Sequence, residues 1–321
     1  MTEAFVSLDL GGTKIACALA DRDLNLLSEE SVPTASHEGP DAVLGRMAEL
    51  VQEQLEKKQA QAVGIGIGVP GLVDLEKGHT RFLPNLPTQW RDVAVVPFLK
   101  EAFNCPVRIL NDARTATLGE LHFGIGKQGV QTFAYFGLGT GIGGGVVIDG
   151  ELRLGALGAA GELGHQTVLQ NGPLCGCGNQ GCLEAVASGS AIAGRGVALM
   201  LSGRAPRLRE KVNADLNRVN ASTMAEAARE GDKAVADELK EIAGYVGIAV
   251  SNVICVLHPE AIVLGGGASY LGEEFFEEVS GVVKRRVGMF PPDDVRIEPS
   301  TLGGDAGMWG GLALAQQAAD K

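Results

Sequence analysis

With 321 residues, 45% of them hydrophobic and 21% charged, the chain carries enough apolar material for more than one core, and its 46 glycines gather beside apolar runs rather than in linkers. A formal net charge of −12 makes nucleic-acid phosphates and anionic lipid surfaces poor general partners, though it leaves room for a local basic pocket. The opening MTEAFVSLDLGG lacks the long apolar core of a secretory signal, and the apolar run 245–257 is shorter than the roughly 20 helical residues that span a bilayer. A cytoplasmic protein without nucleic-acid or membrane partners, its six cysteines reduced, is therefore expected.

In chain order, AFVSLDL (4–10) reads as a strand, GGTK as a turn and IACALAD (15–21) as a second strand. Pro40 opens a helix in which Val43, Leu44, Met47, Leu50, Val51 and Leu55 follow the 3.6-residue period. A buried strand at 62–71, a proline-containing loop at 81–90 and a strand at 107–112 follow. A second half starts near residue 113 and begins as the first does: AYFGLGTGIGGGVVI (134–148) aligns with VSLDLGGTKIACAL (6–19), Leu138 over Leu10 and Gly139 over Gly11. Such a repeat points to an internally duplicated α/β protein. Further on, Thr223 and Glu226 are spaced as a capping box, and a long helix from about Asp232 to Leu257 is stopped by His258-Pro259. A strand at 261–267 runs into glycines, and 303–318 reads as a glycine-opened terminal helix.

Three glycine turns stand at strand ends. In DLGGTK, Gly11 and Gly12 let backbone N–H groups face an anion, Thr13 and Lys14 add donors, and Asp9 can hold magnesium through water. Gly139, Thr140 and Gly141 form a second such turn, and LGGG (264–267) a third. One cluster alone suggests a hairpin; three suggest phosphate binding. Asp112 closes an apolar strand and opens a helix, where an aspartate is more often a cap than a catalytic base. His165, Cys175, Cys177 and Cys182 offer the donor set of a closed zinc shell, which a glycine-rich segment in a reducing compartment favours over a redox pair or unligated thiols. Cys17, Cys105 and Cys255 are expected as small buried hydrophobes. Glu162 and Glu184 flank this segment; taken singly, each reads as solvated surface charge.

Together DLGGTK, GVPG (68–71), ND (111–112), GTGIGGG (139–145), GELGH (161–165), CGCGNQGC and LGGG resemble the ROK family (repressor, open reading frame, kinase) of sugar kinases and related repressors. The resemblance runs from residue 9 to about 310. It implies the actin-like, hexokinase-like (ribonuclease H-like, duplicated) fold of two α/β domains around a central cleft. The expected domains are 1–112, completed by the C-terminal helix at about 303–321, and 113–302, which carries the zinc loop. The resemblance also implies that Asp9, Gly11, Gly12, Thr13, Lys14, Gly139, Thr140 and Gly141 embrace the phosphates of ATP, with Gly265, Gly266 and Gly267 near the adenosine. It turns Asp112 from cap into catalytic base, and makes Gly71, Asn85, Asn111, Asp112, Glu162, His165 and Glu184 sugar-binding positions. Structural zinc on His165, Cys175, Cys177 and Cys182, and magnesium with ATP, are the implied cofactors.

The expected activity is ATP-dependent phosphorylation of a hexose 6-hydroxyl. Glucose comes first, because PNLPTQW and NGPLCGCGNQGCLEAVASG resemble segments of the family's bacterial glucokinases; fructose, mannose and N-acetylhexosamine are alternatives. A homodimer or larger homo-oligomer is usual in the family. A sugar-sensing repressor is the rival class, disfavoured because a DNA-binding helix-turn-helix would have to precede Asp9. A catalytically silent sugar binder is disfavoured by the intact glycine turns and Asp112.

Overall fold

Near-continuous apolar residues on both sides of a glycine pair make 2–20 a hairpin: β1 (Thr2–Leu10) and β2 (Lys14–Ala20) are antiparallel, with Asp9 opposite Ala16 and Leu10 opposite Ile15. The computed structural model describes residues 2–84, 86–87, 90–267 and 271–320. After the hairpin come β3 (Leu26–Pro33), α1 (Pro40–Lys58), β4 (Ala60–Val69), a short hairpin of β5 (Leu72–Asp74) and β6 (His79–Phe82), α2 (Val95–Phe103), β7 (Val107–Asn111) and α3 (Asp112–His122). The second hairpin, β8 (Phe133–Leu138) and β9 (Ile142–Ile148), is followed by β10 (Glu151–Leu152), α4 (Leu183–Ala187), α5 (Gly189–Leu201), α6 (Pro206–Lys211) and α7 (Ala221–Arg229). The chain then runs through α8 (Lys233–Leu257), β11 (Ala261–Gly266), α9 (Glu273–Arg286), β12 (Arg296–Pro299) and α10 (Ala306–Ala319).

Two compact units result. The first takes residues up to Gly129, Gly150–Ala160 and Gly304 onward; the second takes Val130–Asp149 and Gly161–Gly303. The first sheet has the order β3-β2-β1-β4-β7, with β1, β4 and β7 parallel. Its faces follow the two-residue strand period. Ala4, Val6, Leu8 and Leu10 pack with α1 and α2, whereas Phe5 packs with Leu312 and Ala315 of α10. In the second unit, β9-β8-β11-β12 repeats β2-β1-β4-β7: an antiparallel hairpin whose first strand lies parallel to the next strand. The duplication suggested by the paired hairpins is therefore present in the topology.

The division differs from the expected 112/113. Helix α3 stays with the first unit because Leu110 and Leu118 share a core with Ala313 and Leu314 of α10, and Leu152 and Leu154 of the 150–160 segment pack on the same cluster. The residues at or next to each crossing, Gly129, Asp149, Gly150, Gly161 and Gly303, have positive φ. Helix α10 sits so close to its neighbours that side chains are excluded: a Cβ on Gly66 would strike the Gly311 carbonyl, and one on Gly310 the Thr115 carbonyl.

Three local expectations need correction. The capping box belongs to Asn220 and Thr223, since α7 begins at Ala221; Glu226 instead accepts from Ser222 and pairs with Lys211. Cys17 and Cys105 are buried, but Cys255 is exposed, on the side of α8 opposite the stripe ending in Val253 and Ile254. That helix begins at Lys233, so it is long and apolar enough to cross a membrane by length and composition; its buried residues, from Val235 to Ile254, lie in the core of the second unit.

Candidate active site

In the first unit the turn after β1 is held from below. Gly11 N–H donates to the Lys14 carbonyl at 2.9 Å; buried Thr34 donates its N–H to the Thr13 carbonyl at 2.9 Å and its hydroxyl to the Gly11 carbonyl at 2.7 Å. With these carbonyls engaged, the loop keeps one shape. Asp9, half-buried at the end of β1, has its carboxyl pushed up by burial, with Lys14 opposing.

The strand-to-helix junction separates two jobs that the sequence left open. Asn111, in extended backbone, is the cap: its side-chain oxygen accepts from the N–H groups of Ala113 at 3.0 Å and Arg114 at 3.3 Å. Asp112 is the first helical residue, exposed, with Oδ1 accepting from Ala113 N–H at 2.8 Å. Asn111 Nδ2 also donates to the Gly71 carbonyl at 3.2 Å, joining two of the expected sugar positions. Asn85 lies outside the described residues.

Sequence reasoning passed over Arg114. It is only 1% exposed, and its guanidinium donates to Asn111 Oδ1 at 3.0 Å and to the carbonyls of Ala160 and Ala159 at 3.0 and 3.1 Å. It therefore fixes the cap beside Asp112. No sequence signal marked it, because an arginine in a polar helix normally faces solvent.

In the second unit His165, Cys175, Cys177 and Cys182 converge, their ligand atoms all within 4.8 Å of one another. Cys177 and Cys182 Sγ are 3.7 Å apart, and Cys175 Sγ is 3.6 Å from His165 Nδ1. Those separations exceed a disulfide and match the edges of a tetrahedron with Zn–S bonds of about 2.3 Å. The donor set fits a closed zinc shell. Nδ1 of His165 faces the sulfurs, and Nε2 lies 3.8 Å from the Glu162 carboxylate. Glu184 is a half-buried acceptor rather than a solvated charge: Oε2 takes the Ile142 N–H at 2.9 Å, and Oε1 lies 3.6 Å from Cys175 Sγ.

The second and third glycine turns are neighbours, because β8 and β11 pair up to Leu138 and Gly266. Gly139 N–H closes its turn on the Gly141 carbonyl at 2.9 Å. Gly265 is obligatory: buried Tyr135 lies where its Cβ would be. Tyr135 was also missed, its only signal being an aromatic among the glycines of AYFGLGTG.

Paired hairpins, a capped strand-to-helix junction carrying an exposed aspartate and a Cys3His cluster define a protein of the actin-like, hexokinase-like α/β class. A ROK family model matches residues 5–318, and the chain belongs to that family. It is 32% identical to a glucokinase of Halalkalibacterium halodurans over 98% of this chain and 95% of that protein. It is also 33% identical to a xylose repressor of Caldicellulosiruptor bescii, over 97% of this chain and 77% of that protein. A ROK family glucokinase from Streptomyces griseus, solved in complex with glucose and AMPPNP, superposes with a TM-score of 0.84 at 32% identity, covering 98% of this chain and 99% of that one.

Proposed function

We propose that the protein is an ATP-dependent hexose kinase acting on the sugar 6-hydroxyl, with glucose as its preferred substrate. The observation that carries this reading is the junction at β7 and α3, where Asn111 is the cap and Asp112 follows it as the exposed first residue of the helix. In the proposed reaction Asp112 orients the hydroxyl and takes its proton while the oxygen bonds to the γ-phosphorus of MgATP, and ADP leaves with the bridging oxygen. Residues 9–14 and 139–141 supply donors to the phosphates; Gly265–Gly267 take the adenosine. Gly71, Asn85, Asn111, Glu162, His165 and Glu184 are proposed to line the sugar.

His165, Cys175, Cys177 and Cys182 would hold zinc, which as a closed shell cross-links the segment and offers no open position for substrate. Its effect is to fix Glu162, His165 and Glu184 where sugar hydroxyls can use them. A cytoplasmic, homo-oligomeric enzyme belongs to the same reading; light scattering tests the assembly. The glucokinase relatives at 32–34% identity support glucose as substrate.

A coupled ATP-consumption assay with glucose, mannose, fructose and N-acetylated hexoses tests the proposal. Turnover is expected to be highest with glucose, and absence of turnover with every hexose would remove the kinase reading. The match to a xylose repressor supports a second reading, a sugar-responsive regulator. Operator-length DNA retained at physiological salt and released by sugar would favour it.

A further inference from the structure

The Cys3His cluster and the second glycine turn are joined by a continuous set of bonds. Cys182, a member of the cluster, is the residue that caps α4, and Glu184 is the second residue of that helix. Its Oε2 accepts the Ile142 N–H, just past the turn, at 2.9 Å. Gly141 is what admits the carboxylate, since a Cβ there would lie 2.5 Å from Oε2. At the other end of α4, Ser188 leads into α5. Gly189 N–H donates to the Gly139 carbonyl at 2.8 Å, and Ser190 Oγ donates to the Thr140 carbonyl at 2.8 Å. Helix α4 is anchored between these ends by buried Leu183, Val186 and Ala187.

These bonds do more than hold the turn in place. In a trans peptide the C=O and the following N–H point in opposite directions. Engaging the Gly139 and Thr140 carbonyls toward the start of α5 therefore turns the N–H groups of Thr140 and Gly141 the other way. Those are the amides that a phosphate-binding turn must present.

We propose that the metal cluster sets the phosphate-binding shape of residues 139–141 through α4, with Glu184, Gly189 and Ser190 as positioning residues, so that nucleotide affinity depends on the metal even without sugar. This rests on the reading of 139–141 as a nucleotide turn. Gly189 tests it most directly, because a Cβ there would lie 2.8 Å from the Gly139 carbonyl oxygen and force the turn to move without touching the cluster.

The experiment is calorimetric titration of the metal-loaded protein with magnesium and a non-hydrolysable ATP analogue in the absence of sugar. It is repeated for Gly189→Ala and Ser190→Ala and for wild type after chelation, with metal content and glucose affinity measured in parallel. Both variants are expected to retain metal and glucose affinity and to weaken nucleotide binding by roughly tenfold, the scale of one lost hydrogen bond. Chelation is expected to weaken it at least as much. Variants that keep metal and bind nucleotide as wild type does would overturn the coupling and leave the kinase reading intact. A metal-loaded wild type that binds no nucleotide would overturn both.

Discussion

Asp9 and Asp112 both stand at or just past a strand end, but Asp112 is exposed whereas Asp9 is half-buried, and burial raises the Asp9 pKa above the ordinary 3.8. A raised carboxyl binds protons more tightly when folded, so its contribution to stability is present below 3.8 and is lost as pH rises through the folded value. Asp9→Asn should therefore raise the Tm at pH 7, with the gain shrinking as pH falls toward 3.8, while phosphoryl transfer drops. A variant that melts below wild type at pH 7 would contradict this. Asp112→Asn should lower kcat by about 10²–10⁴-fold, the usual range for a lost general base, with glucose affinity nearly unchanged in calorimetry. The four residues of the Cys3His cluster and the glycine turns were legible because donor type and spacing are written locally. Arg114 and Tyr135 were not, since their partners, Ala159–Ala160 and Gly265, are far away in sequence.

Among the elements, α10 is held by absences. Gly64, Gly66, Gly119 and Gly310 bring its backbone onto those of β4 and α3, so that main-chain carbonyls occupy the space of side chains, and Gly311 leaves room for the Ser7 side chain of β1. Gly66→Ala should destabilise the first unit by about 1–3 kcal/mol in urea titration, the cost of overpacking a close contact. Gly45 lies within α1 with open space around its Cβ position, so Gly45→Ala should instead stabilise by about 0.5–1 kcal/mol. The two substitutions are chemically identical, and opposite signs would show that the contact decides. Hairpins and α1 were readable from period and apolar content. Strand β3 was not, because LLSEESVP is mostly solvent-facing and shows no alternation. Helix α3 gave little amphipathic signal, since Arg114, Thr115, Thr117 and Glu120 are all buried in it.

At the scale of the whole molecule, the repeated strand order is the reason two short hairpin sequences sufficed to infer duplication; the return of 150–160 to the first unit was invisible, because it depends on Leu152 and Leu154 finding a core built by α3 and α10. Both tryptophans, Trp90 and Trp309, belong to the first unit, whereas the Cys3His cluster belongs to the second. Metal removal should therefore lower the unfolding midpoint read by far-UV circular dichroism more than the one read by tryptophan fluorescence. Equal shifts would mean that the units melt as one. The placement of α10 has a further result for the nascent chain on the ribosome. Because Ala306–Ala319 is translated after the strands of the first sheet, the glycine face of that sheet stays uncovered on the ribosome until α10 has emerged from the exit tunnel to seal it.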